Sequence, residues 1–380
     1  MRPYDVYSQY PVTPVSGRGH RVTLADGREV LDFYGGHAVV SIGHAHPRYV
    51  AAVEAQVRRL GFYSNAVLNP LQQRLATLLG EVSGLEDYRL FLVNSGAEAN
   101  ENALKLAAWH TDRTRVLAFG RGWHGRTAAA VSVTDDPPIK APINHGVPTE
   151  WLPLNDAPAA EARIARGDLA AVIVEGVQGI GGIYAPEPAF LQVLAKACRA
   201  HGTCLLLDEI QSGYGRTGRF FGFQHAAGVR PDLITVAKGM GNGFPVGGVL
   251  IGPALAERKG SLGTTFGGNH LACAAAIAVL EVIRDERLTA NAAAVGAYLM
   301  ESLRQNPALR DVRGRGLMIG FEVAADGPGV RRRLLLDEGV FVGSAKNPDT
   351  VRLLPPLGVD RAAADELLAA VARVTQAVAA

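Results

Sequence analysis

Cysteine is nearly absent from this 380-residue chain: there are 3, Cys198, Cys204 and Cys273, with no CxxC spacing and an odd count. That excludes a disulfide framework or a zinc ribbon and reads as reduced, buried thiols. Long apolar runs are missing too. The longest, such as Leu271 to Leu280, stop well short of the roughly 18 residues of a spanning helix, and Met1-Arg2-Pro3-Tyr4-Asp5 opens no signal peptide, so a cytoplasmic protein is expected. Nor does one charge dominate: Lys+Arg 38 against Asp+Glu 36 leaves +2, which argues for neither nucleic acid nor an anionic membrane as partner. Small molecules are the expected ligands. Lysine itself is scarce, only 6 of the 38 basic residues, so each can be weighed singly.

What is abundant is buried-core material: 48% of residues are hydrophobic and 19% charged, which excludes disorder as the main state, and the length allows about two domains. From residue 89 on, β-rich runs alternate with helical patterns. Seven strands are expected at Arg89–Val93, Arg115–Phe119, Ala128–Val133, Ala171–Glu175, Thr203–Leu207, Leu233–Ala237 and Gly247–Ile251. Several are continuously apolar, as strands covered on both faces are. Helical stretches such as Ala97–His110, Ala159–Ile164 and Ala189–Ala200 have the length of crossover connections. The pattern predicts an α/β fold with a mainly parallel seven-stranded sheet covered by helices. After about residue 270 the composition turns to Ala-rich helix, Leu271–Arg284 and Leu288–Gln305, then short strands at Leu317–Val323, Val340–Val342 and Val351–Leu354, then a closing helix from Ala362. A smaller α+β domain at 270–380 is expected beside a large domain at 46–269, with residues 1–45 as an arm contributing to the small domain.

Four places carry chemistry. Strand Arg89–Val93 runs into Asn94-Ser95-Gly96-Ala97-Glu98, where Ser95 and Glu98 fit a capping box; the helix N-terminus, with Gly96 permitting close approach, is apt for a phosphate, although capped helices are common. Gly120 to Gly125 satisfies G-x-G-x-x-G, but the following segment reads as a strand where a dinucleotide fold needs a helix, so that reading is rejected. Trp123 there can stack on a planar ring, and Arg126 can bind a carboxylate; the bland alternative is a buried tryptophan and a surface arginine. Strand Cys204–Leu207 ends in Asp208-Glu209-Ile210-Gln211, at the carboxyl end where open α/β sheets bind ligands. A buried Asp needs a partner such as a protonated ring nitrogen, and strand alternation puts Asp208 and Ile210 on one side, Glu209 and Gln211 on the other. Lys238 stands at the lip of apolar strand Leu233–Ala237, beside a glycine-rich loop that desolvates its amine toward a nucleophile. A further loop, Gly263 to Asn269, offers hydroxyls and bare backbone before a helix. His44-Ala45-His46-Pro47 superficially resembles a metal pair, but a turn into helix Pro47–Leu60 accounts for it, and no metal is expected.

Asn94-Ser-Gly-Ala-Glu-Ala-Asn100, Trp123-His-Gly-Arg-Thr127, Leu207-Asp-Glu-Ile-Gln-Ser-Gly-Tyr-Gly-Arg-Thr-Gly218, Ala237-Lys-Gly239 and Thr265-Phe-Gly-Gly-Asn269 occur in one order. With Asp32-Phe33 and Gly43-His-Ala-His-Pro47, the chain resembles, along essentially its whole length, the class III pyridoxal-phosphate-dependent aminotransferases of fold type I, most of all the acetylornithine and succinylornithine group. The resemblance implies that Lys238 tethers pyridoxal 5'-phosphate and carries the reaction's proton, that Asp208 pairs with the ring nitrogen, and that Ile210 and Trp123 flank the ring. Gln211 would contact the ring oxygen, Ser95, Gly96 and Ala97 would surround the phosphate, and Thr265 would reach in from a second subunit, implying a homodimer with active sites at the subunit interface. Arg352 and Arg126 would bind the substrate carboxylates.

The activity so implied is amino transfer between an N-acyl-ornithine and 2-oxoglutarate, by a ping-pong mechanism, in arginine biosynthesis. The chain departs from the family pattern at Ile180, where a glutamate that pairs with the α-carboxylate arginine is usual, at Trp123 for Phe or Tyr, and at Tyr34 and His37. The rival readings are an ω-amino-acid or 4-aminobutyrate aminotransferase, an N-acyl-lysine or diaminopimelate aminotransferase, and a non-catalytic cofactor-binding regulator.

Overall fold

The computed structural model describes residues 1–379. Its centre is a seven-stranded sheet in the order Arg89–Val93, Gly247–Ile251, Leu233–Val236, Cys204–Asp208, Leu169–Glu175, Arg115–Phe119, Thr149–Leu152. The last five run parallel; Gly247–Ile251 lies antiparallel to both its neighbours. All seven residues of Leu169–Glu175 are buried, as are all five of Cys204–Asp208. Each large aliphatic side chain so covered contributes about 1.5–3 kcal/mol. Helices Gly96–Thr111 and Pro188–His201 cover the sheet, and both end at a residue in the left-handed region, Asp112 and Gly202.

The number and mainly parallel sense of the strands agree with the sequence reading, but one member differs. Ala128–Val133 is not a strand: Ala128–Ser132 is a short helix, and the seventh strand is Thr149–Leu152, pairing at the sheet edge with Arg115–Phe119. The reason is a contact distant in sequence. Glu101, on helix Gly96–Thr111, accepts from the Thr127 hydroxyl at 2.8 Å and from the backbone N–H groups of Ala129 and Ala130 at 2.9 and 2.8 Å. Those first-turn donors have no partner inside the helix, so an acid from elsewhere caps it. The ground for rejecting a dinucleotide site at Gly120–Gly125 therefore fails, since a helix does follow, although one of only five residues.

The N-terminal strands Pro14–Arg18, Arg21–Leu24 and Glu29–Asp32 form an antiparallel meander, and Glu29–Asp32 pairs parallel with Val340–Phe341. A third sheet joins Leu309–Arg315, Met318–Val323, Thr350–Leu353 and Gly343–Ser344. Helices Leu288–Arg304 and Gly327–Leu336 pack on it, Arg361–Ala379 packs on both of them, and His270–Asp285 packs on helices Pro47–Arg59 and Pro70–Ser83. Leu309–Arg315 and Gly327–Leu336 were not foreseen; Arg, Asp and Gly dilute the apolar period of both. The three cysteines are free and buried.

Candidate active site

Strand ends of the large sheet open onto a cavity of about 300 Å³, within the range of small-ligand sites. Ser95, Gly96, Ala97, Trp123, Asp208, Ile210, Gln211 and Lys238 line it, so eight of the eleven site residues expected from the sequence meet there. Arg126 and Arg352 stand behind or beside the wall, and Thr265 is exposed on the surface.

Lys238 leaves its strand with φ 44°, a left-handed conformation costly for a side-chain-bearing residue. That turn brings the ammonium to the cavity beside the carboxylates. Burial lowers its pKa; Asp208 and Glu175 oppose the shift, and Arg352 adds to it. Lys238 is half-buried, and its side chain lines the cavity.

Asp208 is 4% exposed, and its Oδ2 accepts from Asn100 Nδ2 and from the His124 Nδ1–H, each at 2.8 Å. Asn100 is itself held, its Oδ1 accepting from the Thr235 hydroxyl at 2.7 Å while its Nδ2 also donates to the His124 carbonyl at 2.7 Å. Charge-assisted bonds of this kind fix a carboxylate's direction as well as its charge. Asp208 Oδ1 accepts from the Ile210 N–H at 3.1 Å, and this tight turn ends the strand. Strict alternation consequently breaks. Gln211, expected opposite Asp208, lines the same cavity, whereas Glu209 alone points away, accepting from Ser212 Oγ and from the Gly222 and Phe223 N–H groups at 2.6, 2.8 and 2.8 Å.

Half of the expected capping box forms: Ser95 Oγ accepts from the Glu98 N–H at 3.2 Å, whereas Glu98 Oε2 accepts from the Asn94 N–H, one residue before the N-cap, at 2.9 Å. Beside it, a Cβ on Gly96 would stand 2.8 Å from Ile210 Cδ1, so only glycine lets Ile210 lie over the helix terminus. Across the cavity, Arg126 sits over the Trp123 ring, 5.0 Å from its centroid.

Arg352 is wholly buried, donating from Nε to the Ser344 carbonyl and from Nη1 to Gln211 Oε1 at 3.4 Å. Its Nη2 has no partner, and no carboxylate pairs with it among the described residues. Burial lowers its pKa to about 10, partly opposed by Tyr34 and Glu175. Nearby, Gly35, Gly36, His37 and Ala38 are all left-handed, with φ from 55 to 67°. Asp32 Oδ1 holds this turn by accepting from the Tyr34 and Gly35 N–H groups at 2.9 and 2.7 Å. The His37 carbonyl accepts from Gln211 Nε2 at 3.0 Å, and its imidazole lies 2.5 Å from the Tyr34 hydroxyl. Burial, with the positive charges of Arg352, Lys238 and Arg126, pushes the His37 pKa down to about 4, so it is neutral at physiological pH.

Asn100, His124, Glu175 and Thr235 were missed as site residues. Asn100 and His124 lie inside the recurring motifs, and Glu175 ends a buried strand in register with Asp208. An acid closing each of two neighbouring apolar strands was the available signal. The two histidines of His44-Ala-His46 diverge, to Asp32 Oδ2 at 2.8 Å and Glu286 Oε1 at 3.0 Å. Among the described residues no group of side chains is arranged to hold a metal ion, and no helix is long and apolar enough to cross a membrane.

An amine and an acid lining one cavity, with a capped helix N-terminus in its wall, suit a planar, phosphorylated, carbonyl-bearing cofactor. The aminotransferase class-III family matches residues 4–375, and the chain belongs to it. It is 42% identical to an acetylornithine aminotransferase of Methanopyrus kandleri, covering 98% of this chain and 96% of that one, and 39% identical to that of Bacillus subtilis, covering 99% and 97%. An ornithine aminotransferase of Toxoplasma gondii, described with partial occupancy of PLP, superposes with a TM-score of 0.92 at 31% identity, covering 99% of this chain and 93% of that one. An (S)-enantioselective omega-transaminase of Thermomicrobium roseum superposes with a TM-score of 0.89 at 31% identity, covering 97% and 93%. The chain is a pyridoxal-phosphate-dependent transaminase of the fold expected from its sequence. Its residues fit that cofactor: Gly96 leaves no room for a methyl group where Ile210 approaches the helix terminus, and Lys238 and Asp208 share one cavity.

Proposed function

We propose that the chain moves an amino group between N-acyl-ornithine, acetyl or succinyl, and 2-oxoglutarate, as a cytoplasmic enzyme of arginine biosynthesis. The relatives named above support the substrate class, and one observation carries it: a wholly buried arginine, Arg352, keeps a donor free for an incoming carboxylate.

Bound pyridoxal phosphate would supply an electron sink for the pair released when the C–H bond beside the reacting amine breaks, at Cα of glutamate or Cδ of an N-acyl-ornithine. The protein's part is positioning and proton movement. Lys238 Nζ tethers the cofactor and afterwards carries the proton, a task its lowered pKa favours. Asp208, held by Asn100 and His124, keeps a negative charge at the ring nitrogen. Trp123 and Ile210 would flank the ring, Gln211 would contact its oxygen, and Ser95 with the Gly96 and Ala97 N–H groups would receive the phosphate. Arg352 binds the α-carboxylate of glutamate and Arg126 its distal carboxylate, and the same Arg126 holds the N-acyl-ornithine carboxylate when the far amine reacts, so a single pocket serves two acids of different length.

Thr265 completes the phosphate site from a second copy of the chain. Supporting this, the surface around it is apolar: Phe266 and Phe62 stack at 5.4 Å while 60% and 42% exposed, beside Tyr63 and Leu68. A homodimer follows, and sedimentation of wild type against Phe266→Glu tests it. Purified holoenzyme is expected to form 2-oxoglutarate from glutamate and to consume N-acetyl- or N-succinyl-ornithine; absence of both exchanges overturns the assignment. Ile180 on the cavity wall, where the family usually has an acid, favours as second reading an ω-amino-acid transaminase, which would turn over 4-aminobutyrate faster than either ornithine.

A further inference from the structure

Glu175 has no part in the account above, yet its carboxylate stands in the cavity wall with both oxygens engaged. Oε1 accepts from the Trp123 N–H and Oε2 from the Gly179 N–H, each at 2.9 Å. These donors belong to different loops, one following strand Arg115–Phe119 and the other following Leu169–Glu175, and the two strands are parallel neighbours. The first loop delivers Trp123, with His124 and Gly125, to the cavity, and the second delivers Ile180.

The loops also lie against each other. Gln178 Nε2 donates to the Gly120 carbonyl at 2.8 Å, and a Cβ on Gly181 would come within 2.6 Å of the Arg121 carbonyl oxygen. Further outward, the Tyr184 ring lies between the Arg121 and Arg313 guanidiniums, at 4.5 and 4.2 Å, and the Ile180 carbonyl accepts from the Lys346 N–H at 2.9 Å. The two loops are therefore packed together, and among the described residues Glu175 is the ionisable group that bonds to both from the sheet side.

We infer that Glu175 is a positioning residue which, through a single carboxylate, sets the ring-facing Trp123 and the substrate-facing Ile180 together, so that cofactor seating and donor selection are coupled. A protonated or amide group has one good acceptor fewer and can hold only one loop as firmly. The inference rests on the proposed place of Trp123 at the cofactor ring.

The test compares holoenzymes of wild type, Glu175→Gln and Gly181→Ala by visible circular dichroism of the bound cofactor and by kcat/KM for glutamate and N-acetylornithine. Glu175→Gln keeps the size of the side chain but gives up one acceptor. Gly181→Ala leaves the carboxylate in place and forces the loops apart. Both variants are expected to change the cofactor's dichroism and to lower kcat/KM roughly tenfold to a hundredfold, by unequal factors for the two donors. A wild-type dichroism band, or an equal loss for both donors, overturns the coupling. Should one variant not fold, the other decides by the same two readouts. A wild-type holoenzyme that transfers no amino group instead overturns the functional reading, which separates the two failures.

Discussion

The two sides of the cavity are built on opposite terms. Around Asp208 the polar groups are mutually satisfied: Asn100, His124, Thr235 and Glu175 all have partners, and none has a buried polar atom left over. Around Arg352 the reverse holds, with an unpartnered Nη2, a long bond to Gln211 and a wall carried by a left-handed turn. A saturated network costs nothing more to keep closed and holds one geometry. An unsaturated buried cation costs stability and lowers that cost only when an anion arrives. The first arrangement suits a resident group, the second a visitor that must leave.

On the saturated side, changes to Lys238 and Asp208, unlike those to Glu175 whose bonds also reach the loop of Ile180, should depress exchange with every donor alike. Lys238→Ala removes tether and proton carrier at once; turnover should fall by at least about 10⁴-fold, and the lysine-linked visible absorbance band should be missing. Asp208→Asn keeps the shape and the Ile210 turn but removes the charge, with an expected loss of about 10²–10³-fold in kcat, equal across donors in steady-state assays. On the open side the outcome should differ between donors. Arg352→Lys, which cannot form a two-pronged bond, should raise KM about tenfold to a hundredfold for glutamate and leave N-acetylornithine and 4-aminobutyrate nearly unchanged. A uniform loss would erase the distinction between the two sides.

The smallest effect concerns an acid that belongs to neither side. Burial pushes the Glu209 pKa up to about 7 from 4.5, against the bonds from Ser212, Gly222 and Phe223. Between these values the folded state holds a proton that the unfolded state has released, so stability is greatest below 4.5 and declines as pH rises through about 7. Glu209→Gln should flatten that part of the Tm against pH profile by a few degrees, equivalent to about 1 kcal/mol.

The sequence made legible what local chemistry controls. Asp208 and Lys238 stood out because each ends a continuously apolar strand, and Ser95 with Glu98 because a capping box lies within one turn. What escaped depends on contacts between distant segments. The helix at Ala128 exists because Glu101 caps it from another element, which no window around Ala128 contains. Thr149–Leu152 is half-buried at all four positions, so neither an apolar run nor an alternation marks it. Gln211 was misplaced because a bond between Asp208 and the Ile210 N–H ends the strand one residue before the alternation rule would. Glu175 was visible as a strand end, but its partners on two loops were not.

The strand Arg89–Val93, which delivers the capped helix to the cavity, has a single neighbour in its sheet, Gly247–Ile251. That neighbour is translated long after it and beyond Lys238. A nascent chain therefore carries an unsatisfied β edge until Gly247–Ile251 emerges, and closure of the catalytic centre waits on a late, long-range pairing of the kind that folds slowly. Truncation just short of residue 247 would leave that edge unpaired.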